Sequence, residues 1–137
     1  MSDVSLKTHL SASADQVWQI IGQFNGLPAW HPMIVKSTLD DGGQMRTLAL
    51  PDGSKVVEEL HDADDGSHTM TYAIVDSPLP VKDYISTLRV IPSQDGVGCT
   101  VEWSSSFDPT GDETAAVTAI HGMYQAGLDN LTKMFGA

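Results

Sequence analysis

Hydrophobic and polar positions alternate from the start of the chain. Val4, Leu6, Thr8 and Leu10 fall on one side of Ser5, Lys7 and His9, the period-two pattern of a strand with one buried face. The period then changes. Ser13-Ala14-Asp15-Gln16 has the form of a capping box, and Ala14, Val17, Trp18, Ile21 and Phe24 recur at helical spacing, which predicts a short amphipathic helix stopped by Asn25-Gly26. Pro28 and Pro32 bracket Ala29-Trp30-His31 and leave room for one further helical turn. From about Met33 to Asp108 the pattern is one of strands. Runs rich in β-branched and apolar residues are cut by Asp40-Asp41-Gly42-Gly43, Pro51-Asp52-Gly53, Asp64-Asp65-Gly66, Ser77-Pro78-Leu79-Pro80 and Gln94-Asp95-Gly96. Such short connections predict an antiparallel meander, because parallel strands need a crossover between them.

Helical spacing returns at the C-terminal end. Thr110-Gly111-Asp112-Glu113 is a second capping-box candidate, Ala116, Ile120, Met123, Tyr124, Gly127, Leu131 and Met134 share a stripe, and Gly136 stands where a helix commonly ends. One long apolar-striped helix and one curved antiparallel sheet make a two-layer α+β solution in which the sheet wraps the helix. A single helix fills the concavity of such a sheet poorly, so an internal cavity is expected, widened by the short residues Ala116 and Gly127.

The chain has 137 residues, the size of one domain spanning 1–137, with no repeat, low-complexity tract or linker. A lone cysteine, Cys99, excludes a disulfide-built secreted scaffold. Neither a signal peptide nor an apolar run of the ~20 residues needed to span a membrane is visible, so a cytoplasmic location is expected. Seven Lys+Arg stand against 18 Asp+Glu, a net charge of −11, and the basic residues are scattered. A body this acidic repels phosphate backbones and anionic headgroups, which argues against nucleic-acid binding and membrane insertion.

The segment Val17-Trp18-Gln19-Ile20-Ile21-Gly22-Gln23-Phe24, then Trp30-His31-Pro32, the stretch Ser77-Pro78-Leu79-Pro80-Val81-Lys82-Asp83-Tyr84 and finally Gly127-Leu128-Asp129-Asn130-Leu131 resemble the SRPBCC (START and birch-pollen-allergen-like) superfamily. They are most similar to its bacterial polyketide cyclase/dehydrase-type branch and more distantly to the abscisic acid receptors. The resemblance covers nearly the whole chain. It implies the helix-grip fold: a seven-stranded curved antiparallel sheet around a long C-terminal helix, with two short helices after the first strand and a ligand cavity inside. From the receptors it further implies a ligand-pairing lysine at Lys36, cavity-lining acids at Glu58 and Glu102, a gate loop at Leu50, Pro51, Asp52, Gly53 and Ser54, and a latch loop at Pro78, Leu79 and Pro80. The latch has neither histidine nor arginine and Asp83 replaces an asparagine, so a hormone-receptor function does not carry over.

Inside a cavity, Lys36, Glu58 and Glu102 would have shifted proton affinities suited to acid–base work or to holding the polar end of an apolar ligand; on the solvated face of the sheet they would do neither. Glu102 is contested. Strand parity puts Val101, Trp103 and Phe107 inward and Glu102 in water, whereas the resemblance implies the reverse, and the expectation taken here follows the resemblance. Tyr72 and Tyr84 are either phenol donors that orient a carbonyl or ordinary strand aromatics. Alternation groups Tyr72 with Met70 and Ile74, Tyr84 with Ser86 and Leu88, and Glu58 with Val56 and Leu60, which together make a mostly apolar lining with a few polar points. The helix stripe adds Ile120, Met123, Tyr124 and Gly127, and Trp30 stands at the expected mouth beside His31, which is read either as a helix-end or surface residue or as a ligand contact.

His9, His31, His61, His68 and His121 share no ligand spacing, Glu59-Leu60-His61 lacks a third ligand, and no metal is expected. Asp62-Ala63-Asp64-Asp65-Gly66 lacks the terminal glutamate of a calcium loop, and Cys99 has no activating partner. The expected function is binding of a hydrophobic small molecule, aromatic, polyketide or lipid-like, by a monomer or homodimer. One version is cofactor-free cyclase, dehydratase or lyase chemistry with Glu58, Glu102 and Tyr84 as catalytic groups; the other is a non-catalytic carrier or sensor.

Overall fold

The computed structural model describes all residues from Met1 to Ala137. In chain order the elements are β1 (Ser2–Leu10), α1 (Ala14–Ile21), a 3-10 turn (Leu27–Ala29), β2 (Lys36–Asp40), a second 3-10 turn (Asp41–Gly43), β3 (Met45–Ala49), β4 (Lys55–Asp64), β5 (Thr69–Asp76), β6 (Val81–Pro92), β7 (Cys99–Pro109) and α2 (Glu113–Phe135). The strands form one seven-stranded sheet in the order β1-β7-β6-β5-β4-β3-β2, every neighbouring pair antiparallel. Five of its six pairings are successive hairpins, and β1 closes the far edge against β7. The sheet curves around α2, which lies against β1 and β7. This is the helix-grip arrangement.

Local chemistry sets the element ends. The Ser13 hydroxyl accepts from the Gln16 amide at 3.2 Å, and the Gln16 side chain accepts from the Ser13 amide at 3.2 Å, so the capping box forms. The helix it starts ends at Ile21, a turn short of Asn25-Gly26. Gly22 is the cause: a Cβ there would sit 2.5 Å from the Trp18 ring, so the ring lies across the helix end. Phe24 is thereby freed from the helix to pack elsewhere. At α2 the cap is Asp112 rather than Thr110, its carboxylate accepting from the Thr114 amide at 3.0 Å. Gly136 closes α2 at φ +81°, its amide donating to the Thr132 carbonyl at 2.9 Å while its own carbonyl accepts from the Ser11 amide. No helix is long and apolar enough to cross a membrane.

One continuous core fills the concave side. Leu10 of β1, Leu48 of β3, Val56 of β4, Met70 of β5, Leu88 and Val90 of β6, Val101 and Phe107 of β7, and Ile120, Leu128 and Leu131 of α2 are all buried in it. Bulges bend the sheet where it has to curve most. Val75 is an extra residue on β5 between the Val57–Asp76 and Glu58–Ile74 pairs, His61 is extra on β4, and the β6–β7 register slips between Lys82 and Ile85. The last slip holds Asp83 at φ +53°, a left-handed conformation rare for a residue with a side chain.

Candidate functional site

The sheet and α2 enclose a cavity of about 20 Å³, room for roughly one water molecule. Its apolar walls include Leu27, Ile34, Leu48, Val56, Ile74, Leu79, Trp103, Ile120 and Met123; its polar groups are Glu58, His31 and the phenols Tyr72, Tyr84 and Tyr124. The interior is much fuller than the wide cavity expected from the sequence, and α2 shows why. A Cβ on Gly127 would lie 2.8 Å from His31 and 3.0 Å from both Trp103 and Trp30. The space opened by this glycine is taken by three aromatic rings instead of being left empty. Trp103 stacks on Tyr124 at 4.3 Å and tilts against Trp30 at 5.3 Å, so Trp30 and Gly127 belong to a packed layer beside the cavity.

Glu58 points inward from β4, and its partner is Arg46 of β3, directly opposite in the register. Arg46 Nε donates to Glu58 Oε1 at 2.8 Å, and Nη2 approaches the same oxygen at 2.6 Å. The guanidinium is sandwiched between the rings of Phe24, 4.3 Å away, and Tyr72, 4.7 Å away, and donates to the Phe24 carbonyl. Both nitrogens converge on Oε1, and no protein group hydrogen-bonds to Oε2. Burial raises the proton affinity of the Glu58 carboxyl, against the pull of Arg46.

A second polar network joins the phenols. Ser86 Oγ donates to the Ser104 carbonyl at 3.1 Å, so it receives the Tyr124 hydroxyl at 2.8 Å as an acceptor, and Tyr124 in turn accepts from Tyr84. Trp103 Nε1 divides its hydrogen between Tyr72 Oη at 2.9 Å and Ser86 Oγ at 3.1 Å. Tyr72 lies beside Ser86, but the Ser86 oxygen already receives Tyr124 and Trp103 and gives its hydrogen to Ser104, so the Tyr72 hydroxyl hydrogen has no open protein acceptor. Burial pushes Tyr124 up to about 12 and raises Tyr72 and Tyr84 as well, so all three stay neutral donors. The cavity thus holds one uncommitted acceptor, Glu58 Oε2, and one uncommitted donor, the Tyr72 hydroxyl.

His31 is buried at the cavity wall, not at a surface or helix end. Its Nδ1 accepts from the Met33 amide at 3.2 Å, so Nε2 carries the hydrogen and donates to the Met123 carbonyl at 2.7 Å. This is a neutral ring, and burial lowers its pKa while the Met123 carbonyl partly opposes the shift.

Residues 1–136 match the family described as polyketide cyclase/dehydrase and lipid transport. The chain belongs to this family. Among solved structures, this cyclase/dehydrase-family protein is similar to XoxI from Bacillus cereus, at 38% identity and a TM-score of 0.96, covering 98% of this chain and 96% of that one. Two enzymes share the fold at lower identity. The di-domain aromatase/cyclase BexL of the BE-7585A biosynthetic pathway is 16% identical with a TM-score of 0.80, over 97% of this chain and 46% of its own. Norcoclaurine synthase from Thalictrum flavum, solved with dopamine and hydroxybenzaldehyde, is 19% identical with a TM-score of 0.74, over 97% of this chain and 85% of its own. No curated protein matches the chain.

Of the expected charged groups, Glu102 and Lys36 lie outside the cavity of this cyclase/dehydrase-family protein. Glu102 faces the outer surface, opposite Lys7 of β1 and Arg89 of β6, while Trp103 faces in. Parity decides this, since a side chain on a strand cannot change faces without moving all its neighbours. Lys36 is exposed on the edge strand β2, where Ser37 and Leu39 are the residues opposite the inward-facing Leu48 and Arg46. The interior cation is Arg46 instead. Its signal was present in the sequence, because Arg46 shares parity with Leu48 and Leu50. Tyr84 reaches the cavity, but its hydroxyl is committed to Tyr124, which leaves Tyr72 as the free donor. Ser86 and Leu88 are buried behind the cavity and Leu60 is half-buried at its end. Of the two loops, Leu79 lines the cavity and Leu50 packs on the core, whereas Pro51, Asp52 and Gly53 are exposed. His61 and Glu59 pair at 3.2 Å on the outer face, and no third side chain joins them in a group able to hold a metal.

Proposed function

We propose that this protein binds a small aromatic or polyketide-like molecule between sheet and helix and acts on it by proton transfer, without a cofactor. The observation that carries this is the pairing, in an otherwise apolar cavity, of an acceptor with no partner, Glu58 Oε2, and a donor with no acceptor, the Tyr72 hydroxyl. Glu58 removes a proton from the carbon next to a carbonyl. The electron pair moves to the carbonyl oxygen, which Tyr72 holds as an enolate, and the enolate carbon attacks a second carbonyl of the same chain. That attack closes the ring, and the protonated Glu58 returns its proton to the new alkoxide. Glu58 then takes the remaining proton of the same carbon and passes it to the departing hydroxyl, so that water is lost and a carbon–carbon double bond forms. A carboxyl with raised proton affinity in a water-poor site is a better base than one in solution. Membership in a cyclase/dehydrase family, and the small aromatic molecules named with norcoclaurine synthase, support this ligand class.

The carrier reading is supported by the lipid transport in the same family description and by Arg46, which already holds the other oxygen of Glu58, as a purely structural ion pair does. Hydroxylated naphthalenes and linear poly-β-keto thioesters separate the two. Binding is read from tryptophan fluorescence, to which Trp103 at the cavity wall contributes, and turnover from product mass. Proton-transfer chemistry predicts a dehydrated product that disappears in Glu58→Gln while binding stays within threefold. A carrier gives saturable binding, no product, and the same affinity in Glu58→Gln. No saturable binding up to millimolar ligand overturns both.

A further inference from the structure

The cavity is closed in by packed side chains, yet the sheet that closes it is unzipped at one place. The β5–β6 ladder runs from Thr69–Arg89 to Ala73–Ile85 and stops, although β5 continues to Asp76 and β6 begins at Val81. Beyond Ala73 the two strands diverge. β5 remains paired to β4 through Ile74 and Asp76, and β6 to β7 through Val81 and Lys82, each with a bulge at that point. On the outer face the gap is a groove of about 590 Å³. Ile74 and Tyr84 line both this groove and the internal cavity, so these two side chains are the partition between outside and inside. Leu79, from the connecting loop, covers the inner side.

From these observations we propose that the β5–β6 seam is the passage by which ligand reaches the interior, with Ile74 and Tyr84 as its gate. This inference deepens the proposed function and rests on it for the identity of the ligand. The cavity holds about one water, so any larger occupant requires a wall to move. Moving the β3–β4 turn breaks existing backbone bonds, since its ladder is continuous to Ala49–Lys55 and the turn is tied by Leu50 N to Ser54 O at 2.9 Å and Gly53 N to Leu50 O at 3.0 Å. At the seam the ladder is already absent: Ile74 and Tyr84 swing as side chains, at the cost of the Tyr84–Tyr124 hydrogen bond, while the bonds that tie the connecting loop, Val81 N to Leu79 O at 2.8 Å and Thr110 N to Pro80 O at 3.0 Å, stay in place. Asp83, in its left-handed conformation, is the residue next to Tyr84. The lip carries Glu59, Asp76 and Asp83 against Lys82 and His61, so an uncharged aromatic passes more readily than an anion.

The test places a bulky group on the outer lip, away from the cavity. Val75→Cys and, as control on the other loop, Ser54→Cys are each coupled to a maleimide polymer; Cys99, fully buried, is left unmodified. Stopped-flow binding of 2-naphthol is expected to slow at least tenfold in both association and dissociation for modified Val75→Cys, with Kd unchanged within twofold and with modified Ser54→Cys like wild type. Unaltered rates at Val75, or slowing at Ser54 alone, overturn the passage. Deuterium exchange of the Trp103 indole hydrogen, followed by NMR, supplies a second readout without ligand. Slower exchange in modified Val75→Cys, with no 2-naphthol binding in the unmodified protein, overturns the ligand reading and leaves the passage standing. Equal exchange in all three proteins overturns the passage.

Discussion

Arg46 and Glu58 face one another across β3 and β4, joined at 2.8 Å inside the core, and each is almost completely shielded from water. The pair neutralises itself, and two aromatic rings cover the cation. Removing either partner leaves a buried charge, at a cost of about 3–5 kcal/mol. The pH dependence separates the two cases. In Arg46→Met the remaining influence on Glu58 is burial, so its raised proton affinity rises further. A carboxyl whose folded-state pKa is raised contributes stability at low pH that is lost as pH climbs through the folded value. Urea unfolding of Arg46→Met should therefore show a smaller deficit at pH 5 than at pH 8. A deficit that is constant across this range would mean that Glu58 gains solvent access in the variant.

His31 has the opposite sign. Its ring is held neutral between the Met33 amide and the Met123 carbonyl, with a lowered pKa. Such a group contributes stability above its ordinary value near 6.5 that is lost as pH falls toward the folded value, at up to about 1.4 kcal/mol per pH unit. Wild type should lose urea resistance as pH drops below about 6.5, and His31→Gln should flatten that part of the profile. Parallel profiles for the two proteins would count against a buried neutral ring.

Two glycines of α2 should respond to alanine in opposite directions. A methyl group on Gly122 would meet nothing within 4 Å, so Gly122→Ala should stabilise by about 0.5–1 kcal/mol through helix propensity. Gly127→Ala gains the same propensity but drives a methyl into His31, Trp30 and Trp103, an overpacking cost of about 1–3 kcal/mol, and should be destabilising overall. Thermal melts of the two variants beside wild type check the signs.

The protein has three tyrosines, and all three belong to the buried network. Tyr124 is pushed up to about 12 and the other two are raised as well. Absorbance at the tyrosinate band should therefore stay flat in the folded protein through about pH 10, where a free phenol is half ionised. Raised phenol values also mean stability present below about pH 10 and lost above it, so ionisation should coincide with unfolding by circular dichroism. Ionisation of a whole tyrosine near pH 10 with circular dichroism unchanged would place that phenol in water.

Period and turn chemistry by themselves determined much of this protein. Alternation at Val4, Leu6 and Leu10, helical recurrence at Ala116, Ile120, Tyr124 and Leu131, and glycine and proline turns between the strands specify a meander followed by one long helix, because each pattern buries an apolar face in only one kind of element. Parity also settled Glu102 and Trp103, and it did so against the family resemblance. What the tertiary structure decided was which side chains meet. The Arg46–Glu58 pair depends on the register of two strands, which local spacing does not fix. The closing of the cavity depends on three aromatic rings from β7 and the segment after α1 converging on Gly127. The seam between β5 and β6 depends on bulges at Val75 and Asp83, set by how far the sheet must bend to grip α2, a property of the whole sheet and of no single stretch of chain.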